Sequence, residues 1–152
     1  MTNRPKQIGT AAESGVRNAF IAAGFGDCRR VALAGAADCG DLFVTAPSGT
    51  ILCVEVKAGR AAETASTAQV AEWLAETERE RMHSGADMGV LVRKRAGYGA
   101  SRAGQWWCEV HANPFYEPDS WGLLGIGPPD ETAFPIRFTL DDLFAMMRGR
   151  FL

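Results

Sequence analysis

A buried strand with two charges near its end is the feature that most restricts what this chain can fold into. Residues 38–59 contain two strand patterns, Asp41–Ala46 and Thr50–Lys57, separated by a Pro-Ser-Gly turn. The second pattern starts with an apolar run and then continues through Glu55 and Lys57. Charged groups in a buried strand are costly unless they have partners, so the hairpin predicts a polar site inside the protein.

A turn centred on Ser48 sets the register of this hairpin. It pairs Asp41 with Glu55, and directly opposed residues have Cβ atoms about 4.5–5.5 Å apart, where like charges repel. Side chains alternate along a strand, so Lys57 lies on the same face as Glu55. Two carboxylates at this distance and a backbone carbonyl suit a divalent cation such as Mg²⁺, and the lysine supplies positive charge for a phosphoryl transition state. The alternative is a structural Glu55–Lys57 ion pair, with Asp41 only at the start of a strand.

The order of the sequence patterns indicates an α/β domain with a mixed sheet. Apolar residues recur at helical spacing after Thr10 and after Thr67, whereas the other apolar runs are short. The chain has 152 residues, which fits a single domain with its own core. A Pro-rich segment at about 112–135 is expected to form a long loop or insertion. The predicted elements outside the hairpin are helices at Thr10–Ala23 and Thr67–His83, a last helix capped by Thr139, and strands at Cys28–Leu33, Met88–Lys94 and Gln105–His111.

Composition and charge restrict the functional classes. The net charge is −2, but residues 1–102 carry 13 basic and 11 acidic side chains. Most of the basic residues are arginine, which binds phosphate in a bidentate manner, so a local basic surface is compatible with the charge. No apolar stretch approaches the roughly 18 residues of a membrane-spanning helix, and no signal peptide is evident, so a cytoplasmic protein without a membrane partner is expected. The four cysteines form no CxxC pair and are expected to be buried thiols.

The spacing of the hairpin acids resembles a known nuclease signature. Asp41, followed fourteen residues later by Glu55-Val56-Lys57, is similar to the motif of the PD-(D/E)xK nucleases. Glu13 on the preceding predicted helix makes the closest resemblance the Holliday junction resolvases of phages and archaea. The resemblance implies a restriction-endonuclease-like core, with a mixed central sheet flanked by helices. It also implies that the catalytic residues are Glu13, Asp41, Glu55 and Lys57.

A cofactor and an activity follow from the same resemblance. Asp41, Glu55 and the Val56 carbonyl would hold Mg²⁺, for which Mn²⁺ can substitute, with Glu13 completing the site, and Lys57 would orient the nucleophile. The implied reaction is paired hydrolysis of phosphodiesters in a four-way DNA junction by a homodimer, in the host cytoplasm if a phage encodes it. Two alternatives stay open: a nuclease for linear duplex or single-stranded DNA in repair or restriction, and a catalytically inactive DNA-binding subunit.

Two positions depart from the family pattern or have a second explanation. Gly40 stands where the family motif has a proline. Glu13 follows Thr10 at the spacing of a capping box, so Glu13 could instead cap the N-terminus of the first helix. Asp38 is a second acid in the loop before Asp41, but Asp41 opens the strand and has the required register.

Several basic residues near the hairpin are expected to contact DNA phosphates and to read DNA shape rather than bases. Gln69, near the start of the second long helix, is a further site candidate because some relatives of this fold carry a polar site residue there. Glu72, Glu76 and Glu80 lie four residues apart on that helix and are interpreted as a solvent-facing stripe. The predicted DNA contacts are Arg29, Arg30, Arg93, Lys94, Arg95 and Arg102.

Overall fold

Helices and strands are interspersed along the chain in the computed structural model, which describes residues 4–31, 40–112 and 134–148. The chain has the α/β composition that its sequence patterns predict. In chain order the elements are α1 Arg4–Ala22, β1 Asp27–Arg30, β2 Leu42–Thr45, β3 Ile51–Lys57, α2 Gly59–Glu63, α3 Thr67–Ser84, β4 Met88–Arg93, a 3-10 helix Ala100–Gln105, β5 Trp107–Ala112, β6 Phe134–Thr139 and α4 Leu140–Arg148.

The six strands form one mixed sheet in the order β1-β2-β3-β4-β5-β6. Neighbouring strands are antiparallel except for β3 and β4, which are parallel and are connected through α2 and α3. A parallel pair needs such a crossover because the chain must return to the same end of the sheet. This mixed sheet flanked by helices confirms the predicted fold class and is consistent with a restriction-endonuclease-like core.

The two faces of the sheet are covered by different helices. On one face, Phe20 of α1 and Phe144 of α4 join the main apolar core, which includes Val54 of β3. The rings of these two phenylalanines are 5.0 Å apart in an edge-to-face contact. On the other face, α3 packs against Leu91 of β4 in a smaller apolar cluster. Side chains of β3 alternate between the faces, so Val54 lies in the main core and Glu55 lies on the α3 side.

The first helix begins earlier than predicted. It starts at Arg4 rather than Thr10, and Thr10 lies inside the helix. Pro5 is tolerated because it occupies the first turn, where the backbone N–H has no intrahelical partner. The helical pattern therefore continues on the N-terminal side of the residue that resembled a cap.

The second long helix has nearly the predicted bounds. The Ser66 hydroxyl accepts a hydrogen bond from the Gln69 N–H at 3.2 Å, and Gly85 ends the helix in a left-handed conformation. Cys28, Cys53 and Cys108 are buried free thiols, as expected, and Cys39 lies outside the described residues. Within the described ranges, no helix combines the length and apolarity that crossing a membrane requires.

The prediction of a loop at about 112–135 is wrong at both of its ends, which belong to strands. Ala112 belongs to β5, and β6 begins at Phe134 and contains Pro135. Proline is tolerated in β6 because this strand is at the edge of the sheet. The sequence patterns did not predict β6, and residues 113–133 lie outside the described residues. The cap of α4 is confirmed: the Thr139 hydroxyl accepts a hydrogen bond from the Asp142 N–H at 3.2 Å.

Candidate active site

The hairpin has the predicted register. Strands β2 and β3 pair Leu42 with Val54, which places the preceding residue, Asp41, beside Glu55. The Asp41 carboxylate accepts a hydrogen bond from the Val56 N–H at 2.8 Å, and the Asp41 N–H donates to the Val54 carbonyl at 3.0 Å. These two bonds fix the Asp41 side chain against the C-terminal half of β3, where the E-x-K motif lies.

Glu55 is a buried acid whose neutral form is favoured in the metal-free protein. Only 7% of the residue is exposed. Burial, followed by the negative charge of Asp41, raises the pKa of Glu55 to about 9, although a hydrogen bond from Lys57 opposes the change. A divalent cation beside these acids would have the opposite effect, because positive charge favours the ionised form. The site is therefore deficient in positive charge.

The Lys57 ammonium donates hydrogen bonds to two of the acids. Its Nζ atom is 2.8 Å from a carboxylate oxygen of Glu55 and 3.2 Å from one of Glu76. Burial lowers the pKa of Lys57, but the hydrogen bonds and charges of both glutamates outweigh burial, so the pKa lies above its usual value. The ring of Trp73 is 5.9 Å from Nζ and adds a weaker attraction. Lys57 is therefore a protonated cation held next to Glu55.

Glu76 and Glu80 face the sheet. The interpretation of Glu72, Glu76 and Glu80 as a solvent-facing stripe is therefore wrong for two of its three members. Glu80 is 2% exposed, Glu76 is partly buried, and only Glu72 is exposed. One carboxylate oxygen from each of Glu55, Glu76 and Glu80 lies within 4.8 Å of the others, close enough for a shared cation. Sequence reasoning missed these two acids because a helical stripe has the same spacing whichever way it faces.

Glu13 approaches the site from α1. Thr10 lies inside this helix, so the capping-box explanation of Glu13 is wrong. Burial and the charge of Asp41 raise the pKa of Glu13, whereas Arg30 opposes them. Arg30 Nε is 3.6 Å from the Glu13 carboxylate, and the same guanidinium donates to the Thr10 carbonyl and the Ser14 hydroxyl. Glu13 is therefore close enough to Asp41 for their charges to interact.

Gly40 is required at the position where the family motif has a proline. Its φ is +85°, which a proline cannot adopt. A Cβ atom at this position would lie 2.8 Å from the Cys53 sulfur and 3.5 Å from a Glu80 carboxylate oxygen. The departure from the motif therefore has a local structural reason, and it leaves Asp41 in place.

Arg93 is a structural residue rather than a DNA contact. It is 3% exposed, and its guanidinium donates to both carboxylate oxygens of Glu109, at 2.9 and 3.3 Å. The Ala62 carbonyl accepts a third bond at 2.9 Å. The prediction that Arg93 contacts DNA is therefore wrong, because a buried guanidinium with these partners cannot reach a phosphate.

The other predicted DNA contacts keep accessible surface. Arg29 and Arg102 are exposed, and Arg95 and Lys94 are partly exposed. Lys94 forms an ion pair with Glu63, which offsets its charge. With the exposed Arg30 at the end of β1, these residues stay as predicted phosphate contacts.

Gln69 is bonded within its own helix. Its side-chain amide donates to the Glu72 carboxylate at 3.3 Å, on the exposed side of α3. This bond joins Gln69 to its own helix, and the assignment of Gln69 to the site stays a prediction. Asp38, the rejected alternative to Asp41, lies outside the described residues.

The arrangement as a whole is suited to a divalent cation. Asp41, Glu55 and Lys57 meet at the hairpin, with Glu13 on one side and the acids of α3 on the other. Carboxylate and carbonyl oxygens are the donors that Mg²⁺ and Mn²⁺ prefer. A protonated lysine in contact with one of these carboxylates is suited to bind an anionic group, such as a phosphate, at the same place.

Comparisons with known proteins do not assign a family. No family model matches the chain, and neither curated proteins nor solved structures give a significant match. The residues of the candidate site are therefore the basis for a functional assignment.

Proposed function

We propose that this chain is a Mg²⁺-dependent DNA endonuclease of the PD-(D/E)xK type that resolves four-way junctions. The observation that carries the proposal is the buried Glu55, next to Asp41 and 2.8 Å from the Lys57 ammonium. A structural Glu–Lys pair gives no reason to place further acids beside it, because each added carboxylate increases the electrostatic cost. A metal-dependent phosphodiesterase needs these acids.

The donor set fits Mg²⁺. Asp41, Glu55 and the Val56 carbonyl would hold the ion, and Glu13 would complete the set directly or through water. When bound, Mg²⁺ polarises a water molecule and a phosphoryl oxygen. The raised pKa of Glu55 supports the fit, because the charges of the protein alone do not stabilise ionised Glu55 and a bound cation would.

Lys57 and Asp41 are oriented before substrate arrives. The raised pKa of Lys57 keeps its ammonium protonated, so this group can donate to a phosphate and stabilise the negative charge of the transition state. Glu55 and Glu76 hold the ammonium between them. The Val56 N–H orients the Asp41 carboxylate. Preorganised groups of this kind need little rearrangement during the reaction.

Cleavage of a four-way junction, compared with a linear duplex of the same arm sequences, tests the proposal. With Mg²⁺, we expect the junction to be cut much faster than the duplex, with symmetric nicks in opposing strands near the crossover. Equal rates on the two substrates would support the alternative of a nuclease for linear DNA. Binding without cleavage in both Mg²⁺ and Mn²⁺ would support the inactive DNA-binding subunit.

A homodimer follows from the proposed reaction. A four-way junction must be cut in two strands, so paired incision needs two active sites, and two-fold symmetry supplies them. Light scattering at micromolar concentration should then give twice the chain mass of 16.3 kDa. Full junction-resolving activity by a monomer would contradict the dimer. The substrate would place the protein in the cytoplasm, or in the host cytoplasm if a phage encodes it.

A further inference from the structure

Three arginines and two aromatic rings form a continuous series of contacts, which we call the arginine–aromatic row. The guanidinium carbon of Arg95 lies 4.3 Å from the ring centre of Trp107 and 5.0 Å from that of Tyr98. Arg102 lies 4.7 Å from the Tyr98 ring centre, and Arg137 lies 5.6 Å from that of Trp107. Each ring therefore contacts two arginines.

Trp107 and Arg137 of the row lie on the same face of the sheet as Glu55 and Lys57, whereas Tyr98 packs against the main apolar core. The strand register aligns Lys57 with Arg93, and Arg93 with Trp107, on three neighbouring strands. Laterally aligned residues project from the same face of a sheet. Trp107 is two strands from Lys57, which corresponds to about 10 Å at the usual strand spacing. A DNA backbone bound at the candidate site therefore has to pass over the buried Arg93 to reach the Trp107 end of the row.

An arginine that contacts an aromatic ring can still bind a ligand through its N–H edge, although Arg137 already donates from this edge to Glu109 at 2.6 Å. A stacked arginine uses the flat face of its guanidinium, whereas phosphate oxygens bind the N–H edge. The rings also restrict the arginine conformations before a ligand arrives, so less entropy is lost on binding. These arginines are therefore preorganised for anionic groups.

Positive charge exceeds negative charge along the row. Within the part of the chain that the structure describes, Arg95 and Arg102 form no ion pair, whereas Arg137 pairs with Glu109 at 2.6 Å. Glu109 also pairs with the buried Arg93, so one negative charge is shared by two positive guanidinium groups. Arg102 and Arg137 are exposed. A ligand with several negative charges in sequence fits such a surface better than a single small anion does.

We propose that the arginine–aromatic row binds the phosphodiester backbone of a DNA arm that leads away from the candidate site. The inference rests on the proposed function for the identity of the ligand as DNA. It adds Tyr98, Trp107 and Arg137 to the binding surface. The rings are occupied by the arginines, so the row contacts the backbone and does not specify sequence.

Fluorescence anisotropy with labelled four-way junctions and linear duplexes, in Ca²⁺ or without a divalent cation, tests the row independently of cleavage. We expect Arg95→Gln and Arg102→Gln each to weaken binding about tenfold. Each should also reduce the slope of log Kd against log salt concentration by about 0.9, because one phosphate contact is lost. Tyr98→Leu and Trp107→Leu leave the net charge unchanged and should weaken binding about 2- to 5-fold, through loss of stacking.

Matched variants separate the row from general effects of charge and folding. Arg79 is an exposed arginine on α3 outside the row, so Arg79→Gln should bind DNA as the wild type does. Trp107→Phe keeps a ring and should retain most of the affinity that Trp107→Leu loses. Circular dichroism identifies any variant that does not fold. If a ring variant does not fold, Arg102→Gln still tests the proposal, because Arg102 is exposed and its replacement should not affect folding.

The outcomes distinguish this inference from the proposed function. Wild-type affinity and salt dependence in Arg95→Gln and Arg102→Gln would overturn the row, even if the protein cuts junctions normally. Altered oligomeric state with unaltered DNA affinity would assign the row to a protein interface and would also overturn it. Binding that depends on the row, in a protein that cuts no DNA, would sustain the inference and overturn the nuclease.

Discussion

The Asp41 carboxylate accepts a hydrogen bond from the backbone N–H of Val56 at 2.8 Å, across the hairpin and between the two charged residues of the E-x-K motif. A backbone donor contributes to the position of this acid, so the position depends on the strand pairing. An asparagine at position 41 can accept the same bond through its carbonyl oxygen. Asp41→Asn therefore removes the charge while it keeps the local geometry.

Loss of one site charge should abolish cleavage without abolishing DNA binding. We expect Asp41→Asn, Glu55→Gln and Lys57→Ala each to lower the single-turnover cleavage rate about 100- to 1000-fold, since each group acts on the metal or the transition state. Junction affinity in Ca²⁺ should change only a few-fold. Glu72→Gln, on the exposed side of α3, is the control and should cut normally. Near-normal turnover by any of the three variants would remove that residue from the site.

Glu13 should affect the metal requirement and not the helix. We expect Glu13→Gln to raise the Mg²⁺ concentration for half-maximal cleavage, because Glu13 lies close enough to Asp41 to interact with its charge. The far-ultraviolet circular dichroism of the variant should match that of the wild type, since Glu13 is not a cap. Loss of helicity with an unchanged Mg²⁺ requirement would restore the capping explanation.

Glu55 should make the metal-free protein less stable as the pH rises. Its folded-state pKa is raised from 4.5 to about 9, chiefly by burial. Between these values the folded protein binds more protons than the unfolded chain, so the free energy of unfolding falls with increasing pH. We expect Glu55→Gln to flatten this dependence and to be more stable than the wild type by several kcal/mol at pH 8.

Urea unfolding of the metal-free protein between pH 5 and pH 9 measures this effect. Glu72→Gln should keep the wild-type pH dependence, because Glu72 is exposed. A Glu55→Gln variant that is less stable than the wild type at pH 8 would show that the fold stabilises the ionised acid.

Two glycines with the same backbone conformation should tolerate alanine differently. Gly40 and Gly49 have φ values of +85° and +89°, but only a Cβ at position 40 would meet another atom, the Cys53 sulfur at 2.8 Å. We expect Gly49→Ala to cost about 1 kcal/mol, from backbone strain, and Gly40→Ala to cost about 3 kcal/mol. Equal losses of stability in Gly40→Ala and Gly49→Ala would contradict the close contact. In the double variant Gly40→Ala/Cys53→Ala, removal of the sulfur should restore part of the stability that Gly40→Ala loses.

Arg93 should contribute to folding and not to DNA binding. Arg93→Gln leaves Glu109 with fewer partners in a buried position, so we expect a loss of about 3 kcal/mol in the free energy of unfolding. Junction affinity of the folded variant should equal that of the wild type. Lys94→Gln, which breaks a partly exposed ion pair with Glu63, should cost at most about 1 kcal/mol. Weakened DNA binding by folded Arg93→Gln would reinstate the original prediction.

The sequence predicted the hairpin well because its signals are local. The turn fixes the register, and the period of two along a strand then places Asp41, Glu55 and Lys57 without reference to distant residues. Similarly, the cap at Ser66 and the glycine at position 85 define the bounds of α3 within the chain itself. These features account for the mixed α/β fold and for the centre of the candidate site.

The features that the sequence did not predict depend on distant contacts. The orientation of α3 about its own axis decides that Glu76 and Glu80 face the sheet, and the helical pattern alone leaves that orientation open. Arg93 is buried because Glu109, on another strand, pairs with it. Strand β6 contains Pro135, which argues against a strand unless its edge position is known.

The parallel pairing of β3 with β4 has a consequence for the order of events during synthesis. This pairing must wait until α2, α3 and β4 have been made, and pairings distant in sequence form slowly. Glu55 therefore acquires its burial and its α3 neighbours late, after the β2–β3 hairpin has formed. If the chain cuts DNA as proposed, an unfinished chain on the ribosome holds Asp41 and Glu55 but lacks the α3 acids that surround Glu55 in the completed fold.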